Sequence, residues 1–233
     1  MNADLEPLPP AGARHRSPPL LPVGIVYTAL FLGSLAVPTL AASGAHFPSP
    51  FDPTALAAAY FAEHASAVRL AAFLQFGAAV PLAIFTATLV DRLRFLGMKV
   101  AGTVIALYGG LAASCFLALS AMIQWVLAQP DVATQPGAAR LLHLLAFATG
   151  GPGHVVPLGL LLAGASVPAL VGRLLPKWLA WLGLALAAVA ELAWLSLLLP
   201  GAAYLLPAAR FPAFIWILAV GALLPQSRKP GAR

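Results

Sequence analysis

Six long apolar stretches, separated by short segments rich in charge or proline, constrain what this chain can fold into. An α-helix crosses the hydrocarbon core of a bilayer with about 20 apolar residues. Charged residues make up only 9% of the chain, against about 25% in an average soluble domain. This excludes a soluble enzyme and a disordered chain. The sequence predicts an all-α polytopic membrane protein, a bundle of six transmembrane helices over residues 20–42, 67–90, 100–128, 138–171, 176–199 and 211–224.

The basic residues predict the orientation of this bundle. If the N-terminus lies inside, ten of the 13 lysines and arginines fall on the inner side, and the others are Arg69, Arg140 and Arg210. Cytoplasmic loops carry such an excess, so we expect both termini in the cytoplasm. The same placement accounts for the net charge of +6 without nucleic acid as a partner. We divide the chain into a disordered cytoplasmic tail, a six-helix transmembrane domain and a basic cytoplasmic tail: 1–19, 20–226 and 227–233.

Two apolar stretches have unusual lengths. The first is longer than the core of a signal peptide, which has about 7–15 residues, so we expect an uncleaved span. The fourth would reach about 51 Å as one helix, whereas the hydrocarbon core is about 30 Å thick. The segment Gly150-Gly151-Pro152-Gly153 interrupts it. The fourth stretch is therefore either a kinked helix or a broken one. A short helix is also expected after Pro53.

Polar side chains in the spans are the candidate site residues. Counting 1.5 Å per helical residue from the inner basic residues places four of these side chains about 20–30 Å above the inner border. They are Gln75, Ser114, His154 and Glu191. His143 lies on nearly the same helix face as His154, since 11 residues separate them. The sequence thus predicts a ligand- or proton-binding pocket in the outer half of the bilayer, with no catalytic residue and no metal ligand assigned, around Gln75, Ser114, His143, His154 and Glu191.

Glu191 is the only acidic residue inside a predicted span. An ionised, unpaired carboxylate is costly there, so Glu191 either binds a proton or finds a partner. By depth, that partner is His154. A carboxylate beside an imidazole can hold a proton, position a polar head group or contribute to a metal site. It can equally form a structural hydrogen bond between two helices, and both interpretations stay open.

Residues at the two borders have a simpler interpretation. Arg69, Arg140 and Arg210 reach the lipid head groups from near the outer border. Alternatively, they form a funnel for anionic ligands or act as counter-charges of Asp52, Glu63 and Asp131. Aromatic residues at both borders are expected to be interfacial anchors: Trp178 and Trp181 on the inner side, and Tyr204, Phe211 and Trp216 on the outer side.

The second half of the chain resembles an uncharacterised bacterial family of small multi-pass membrane proteins, a domain of unknown function. The resemblance rests on segments 140–143, 150–154, 159–170, 173–183 and 207–221. Its most distinctive element is the Leu175-Pro176-Lys177-Trp178-Leu179 turn before the penultimate span. The resemblance implies about six spans and a bacterial plasma (inner) membrane, and it implies no reaction, cofactor or catalytic residue.

Three functional hypotheses follow from these features. The first is an integral membrane protein that binds or transports a small, partly apolar molecule through the outer-half pocket, with the lipid bilayer and that ligand as its partners. The second is a non-catalytic scaffold or regulatory partner. The third is an intramembrane redox enzyme that holds haem or a metal on histidines such as His143 and His64. The features favour a protein that is not an enzyme and identify no cofactor.

Overall fold

The computed structural model describes residues 14–227, so the predicted tail positions 1–13 and 228–233 lie outside it. Over the described range the protein contains helices and no β-strand. Two 3-10 helices, Ala193–Leu197 and Pro200–Tyr204, follow α8. The α-helices are α1 (Leu20–Ala41), α2 (Thr54–Glu63), α3 (Ala65–Phe95), α4 (Ala101–Leu127), α5 (Pro130–Ala133), α6 (Pro136–Gly150), α7 (Pro152–Val171), α8 (Lys177–Leu192) and α9 (Leu205–Leu223).

Six helical segments are long and apolar enough to cross a membrane, which confirms the predicted six-helix bundle. Helices α1, α3 and α4 each form one span, and α6 with α7 forms the fourth. The 3-10 helices complete the fifth and sixth spans. The six segments are Leu20–Ala41, Ala65–Phe95, Ala101–Leu127, Pro136–Val171, Lys177–Leu197 and Pro200–Leu223.

Both ends of the described chain lie on the same side of the bundle. An even number of crossings requires this, and the backbone of Arg14 pairs with that of Ser227. We call this side the basic end, because it carries most of the described lysines and arginines. Its basic residues are Arg14, Arg16, Arg92, Arg94, Lys99, Arg173 and Lys177.

Helices α4 and α7 pack backbone against backbone. A Cβ atom on Gly109 would lie 2.6 Å from the carbonyl oxygen of Pro157, and one on Gly164 would lie 2.5 Å from the nitrogen of Ala106. Small residues allow such close approach, which is how helices gain packing energy in a lipid environment. The buried core beside this contact contains Tyr27, Phe31, Phe85, Leu117, Leu158 and Ile217.

Trp216 also belongs to the core, so its predicted role as an outer interfacial anchor is wrong. Its side chain is fully buried, and Nε1 donates a 3.2 Å hydrogen bond to the carbonyl oxygen of Leu179. Gly183 provides the space, since a Cβ atom there would lie 2.4 Å from that same nitrogen. Tyr204 and Phe211 are exposed, as interfacial anchors are.

The fourth span is broken rather than kinked. Helix α6 ends at Gly150, α7 begins at Pro152, and Gly151 between them has φ −85° and ψ −105°. Pro152 has no N–H group and suits the first position of a helix. Gly151 cannot carry a side chain without movement, because a Cβ atom there would lie 2.6 Å from the carbonyl oxygen of Phe147. Broken helices require neighbouring protein groups to satisfy the freed backbone.

The end of the bundle opposite the basic end is covered by short elements. Helix α2, the short helix predicted after Pro53, buries Ala57 and Phe61 against α3, α4 and α6. The loop ahead of α2 places the Phe47 ring 5.5 Å from that of Phe61 and 5.8 Å from that of Tyr60. We call this loop and α2 together the roof.

Candidate functional site

A cavity of about 290 Å³ lies between the roof and the break in the fourth span. Side chains of α1, α3, α4, α6 and α9 line it, and we call it the outer cavity. Apolar walls with a few convergent polar groups are typical of small-molecule binding sites. The aromatic and polar residues that line it are Phe31, Phe47, Phe147, Gln75, Ser120, Gln124, His143 and Arg210.

Two amide side chains and a hydroxyl form one wall of the outer cavity. Gln124 donates from Nε2 to Oε1 of Gln75 at 2.9 Å, and Ser120 donates from Oγ to the carbonyl oxygen of Ala146 at 2.9 Å. Gly150 fits closely against this wall, since a Cβ atom there would lie 2.4 Å from Oγ of Ser120. These contacts join α3, α4 and α6 and hold the polar groups in fixed positions.

Arg210 supplies the positive charge of the outer cavity. Its Nη2 donates a hydrogen bond to the carbonyl oxygen of Gly150, which is one of the backbone groups freed by the break. The guanidinium carbon lies 5.4 Å from the centroid of the Phe31 ring, within cation–π range. Nε of Arg210 has no hydrogen-bond partner. Within residues 14–227 no carboxylate forms an ion pair with Arg210.

The sequence placed Arg210 outside the sixth span, and the structure places it inside. The span was expected to begin at Phe211, whereas α9 begins at Leu205. Pro207 lies in the first turn of α9, where a missing N–H group costs no helical hydrogen bond. Arg210 is thereby carried into the second turn, where it faces the cavity rather than the lipid head groups.

Of the five predicted site residues, Gln75 and His143 line the outer cavity. The His143 ring is 3% exposed and is enclosed by Phe61 and Phe47, at centroid distances of 5.0 and 5.9 Å. Its Nδ1 has no hydrogen-bond partner. His143 is therefore held at the roof by aromatic edges, with one nitrogen unbonded.

His154 and Ser114 are bonded to the backbone of neighbouring helices. Nδ1 of His154 lies 2.9 Å from the carbonyl oxygen of Ala113, and the ring stacks on Phe31 at 6.0 Å. Nε2 of the same ring has no partner. Ser114 donates from Oγ to the carbonyl oxygen of Ala79 at 2.7 Å. Neither side chain lines the outer cavity. The His154 ring contacts Phe31, which does line it.

Glu191 lies apart from these residues, and the predicted pair with His154 is not formed. Its half-buried side chain faces α7, where a Cβ atom on Gly159 would lie 2.9 Å from Oε1. Oε1 has no hydrogen-bond partner. His154 faces Ala113 and Phe31 instead. Counting residues along a span gives an approximate depth for a side chain, but it does not give the direction in which the side chain points.

Sequence reasoning missed Ser120 and Gln124, and it considered Arg210 only as a border residue that reaches the head groups or helps to form an anion funnel. Ser120 and Gln124 are four residues apart on α4, so they share a helix face, and Gln124 Nε2 lies 3.4 Å from Ser120 Oγ. Polar residues at this spacing within an apolar span were the available signal. For Arg210 the sequence contained no such signal. Its role follows from its contact with Gly150 at the break, and these two residues come together only in the folded chain.

The chemistry available in the outer cavity is that of binding. Arginine donates hydrogen bonds in a fixed planar fork, and glutamine both donates and accepts them. Such groups orient a polar head group, while the phenylalanines contact an apolar body. Across the described residues, no group of three or more histidine, cysteine, aspartate or glutamate side chains could hold a metal ion.

Together the helices and the cavity define a six-span integral membrane protein with a polar site between the helices. Comparisons with protein-family models, with curated proteins and with solved structures found no match.

Proposed function

We propose that this membrane protein binds a small, partly apolar molecule in the outer cavity. The observation that carries the proposal is Arg210, a guanidinium without a carboxylate partner in the described chain, placed in a cavity with phenylalanine walls. An unpaired charge at membrane depth is expensive and marks functional sites. A ligand with a carboxylate, phosphate or carbonyl group would compensate that charge.

The arrangement of the walls supports a ligand with two chemically different parts. The polar part would lie near Arg210 and the amides of Gln75 and Gln124, and the apolar part would contact Phe31 and Phe147. The volume of about 290 Å³ is close to the lower limit of roughly 300 Å³ for small-molecule pockets. This favours a compact ligand over a whole phospholipid.

The break at Gly151 supports a transport step in addition to binding. Transporters bind their substrates at discontinuous helices, where freed backbone groups and helix ends contact the ligand. In this protein the carbonyl oxygen of Gly150 lies at the break, held by Arg210. A ligand that competes for the guanidinium would release that carbonyl and loosen the contact between α6 and α9. We further propose that the protein acts in a bacterial plasma membrane, as the family resemblance of the sequence implies.

Native mass spectrometry of protein released from membrane vesicles tests this function. We expect a defined extra mass on the wild type, with its occupancy reduced about tenfold or more in Arg210→Gln, because a hydrogen bond to a charged group contributes about 1.5–3 kcal/mol. Arg69→Gln is the matched control, since Arg69 is also near the outer border but exposed. Bare protein in all three samples would contradict the proposal and favour the scaffold hypothesis.

A further inference from the structure

A second cavity, of about 540 Å³, lies at the basic end of the bundle. Residues 14–19, which were expected to belong to a disordered tail, cross this end as a strap. Arg14 donates from Nε and Nη2 to Oε1 of Gln226 at 3.2 and 2.9 Å, and the His15 backbone N–H donates to the carbonyl oxygen of Gln226 at 2.8 Å. The strap is thus bonded to Gln226, three residues after the end of α9.

The strap is also tied to α3. Nε2 of His15 lies 2.8 Å from a carboxylate oxygen of Asp91, and its Nδ1 lies 2.7 Å from Oγ of Ser17. The His15 ring is 5.0 Å from the ring of Phe95. These contacts form the walls of the cavity, which lies between the strap, α3 and the segment that follows α9.

The lining of this cavity is strongly basic. Three arginines contribute to it, Arg14, Arg16 and Arg92, together with Ser17 and Gln226. The acidic residues of the described chain are Asp52, Glu63, Asp91, Asp131 and Glu191, and of these only Asp91 lies at the basic end. Asp91 contacts His15, and in the described chain it forms no ion pair with any of these arginines.

Arg92 lines this cavity and carries buried nitrogen atoms without hydrogen-bond partners. Its side chain is 2% exposed, and neither Nε nor Nη1 has a hydrogen-bond partner. A buried charge without compensation is strongly destabilising, and a guanidinium pairs with phosphate oxygens through two parallel hydrogen bonds. Arg14 and Arg16 would add charge around the same anion.

We propose that the cavity at the basic end binds one phosphate group, with Arg92 as its principal partner. The group is either the head group of an anionic phospholipid in the adjacent leaflet or a soluble phosphate. Arg92 lies three residues before the end of α3 at Phe95, about one helical turn from the end of a span. A lipid phosphate near that end of the bundle would be within reach of the site. The site is independent of the outer cavity.

The experiment measures binding to the purified full chain in dodecyl maltoside, a detergent that contains no phosphate. Inorganic phosphate is titrated at constant ionic strength in one arm, and phosphatidylglycerol is added to the micelles in the other. Thermal unfolding, followed by tryptophan fluorescence, reports binding in both arms. The variants are Arg92→Gln and, as matched control, Arg94→Gln, which removes the same charge from an exposed position two residues away.

We expect phosphate, phosphatidylglycerol or both to raise the unfolding temperature of the wild type and of Arg94→Gln. In Arg92→Gln the apparent affinity should fall about tenfold or more, as for loss of one charged hydrogen-bond donor. Without added phosphate, Arg92→Gln should be at least as stable as the wild type, because an uncompensated buried charge is removed. A response to phosphatidylglycerol alone identifies a lipid site, and a response to inorganic phosphate identifies a soluble ligand.

Two results would overturn the proposal. One is a wild type that responds to neither probe. The other is an equal response in Arg92→Gln and the wild type. If Arg92→Gln does not fold, Arg16→Gln provides the same test at an exposed position of the strap. It should lower the affinity for the responding probe, and an unchanged affinity would also overturn the proposal.

Discussion

The two halves of α4 contact the fourth span in different ways. Towards the basic end, Gly102 and Gly109 bring the α4 backbone against α7, so closely that a Cβ atom on Gly109 would lie 2.6 Å from the nitrogen of Leu161. Towards the roof, Ser120 donates a hydrogen bond to the backbone of α6, Gln124 donates one to Gln75 on α3, and both residues line a cavity.

This difference shows how α4 can support the bundle in one half and line a site in the other. Glycines remove side chains and let helices gain packing contacts directly. Polar side chains and a broken partner helix supply hydrogen-bonding groups to the space between the helices. The closed half near the basic end fixes the position of the open half near the roof.

The largest expected effect on stability comes from adding a side chain to α4 in its half near the basic end, where the helix lies against the backbone of α7. We expect Gly109→Ala to lower the free energy of unfolding by about 1–3 kcal/mol, because the added methyl group meets backbone atoms that cannot move independently. Unfolding in mixed detergent and dodecyl sulfate micelles measures this. Gly137→Ala is the control, since a Cβ atom at Gly137 has no neighbour within 4 Å. Equal stabilities of the two variants would contradict the proposed backbone contact.

A smaller effect on stability is expected where α6 meets the half of α4 near the roof. Gly150→Ala places a methyl group against Oγ of Ser120, at 2.4 Å before any movement. We expect it to cost about 1 kcal/mol, the typical net contribution of the hydrogen bond from Ser120 to Ala146. Ser120→Ala removes the conflicting oxygen, so the double variant should lose less stability than the sum of the single variants. Strict additivity would show that the two residues do not interact.

The smallest expected effect separates a structural serine from a cavity serine. Ser114→Ala removes one hydrogen bond to the carbonyl oxygen of Ala79, and such bonds between membrane helices contribute about 0.6 kcal/mol on average. It should leave the bound mass in native mass spectrometry unchanged, because Ser114 does not line the outer cavity. Loss of the bound mass in this variant would contradict this expectation and indicate that Ser114 contributes to ligand binding.

The fold could be predicted from the sequence because the membrane imposes it. Apolar length fixes the number of spans, and the positions of the basic residues fix their alternation. The helix ends were less accurate, since the sixth span was expected to begin at Phe211 and α9 begins at Leu205. The chain continues as helix through Pro207, and this moved Arg210 from the border into the site.

The site could be predicted only in part, because depth along a span says nothing about direction around it. Gln75 and His143 were found in the cavity wall, whereas Glu191 faces Gly159 on another side of α7. The rotation of each helix depends on which small residues allow close approach. That information is spread over several helices and is not contained in the hydropathy of any one of them.

The burial of Trp216 has a spectroscopic consequence. The other four tryptophans, Trp125, Trp178, Trp181 and Trp194, are each more than half exposed on the bundle surface, between 54% and 60%. Brominated lipid chains quench indole emission on contact, so they should suppress these four and leave Trp216 as the residual emitter. Because Trp216 bonds to the carbonyl oxygen of Leu179, its emission would report how tightly α8 and α9 stay together while a ligand enters or leaves the membrane domain.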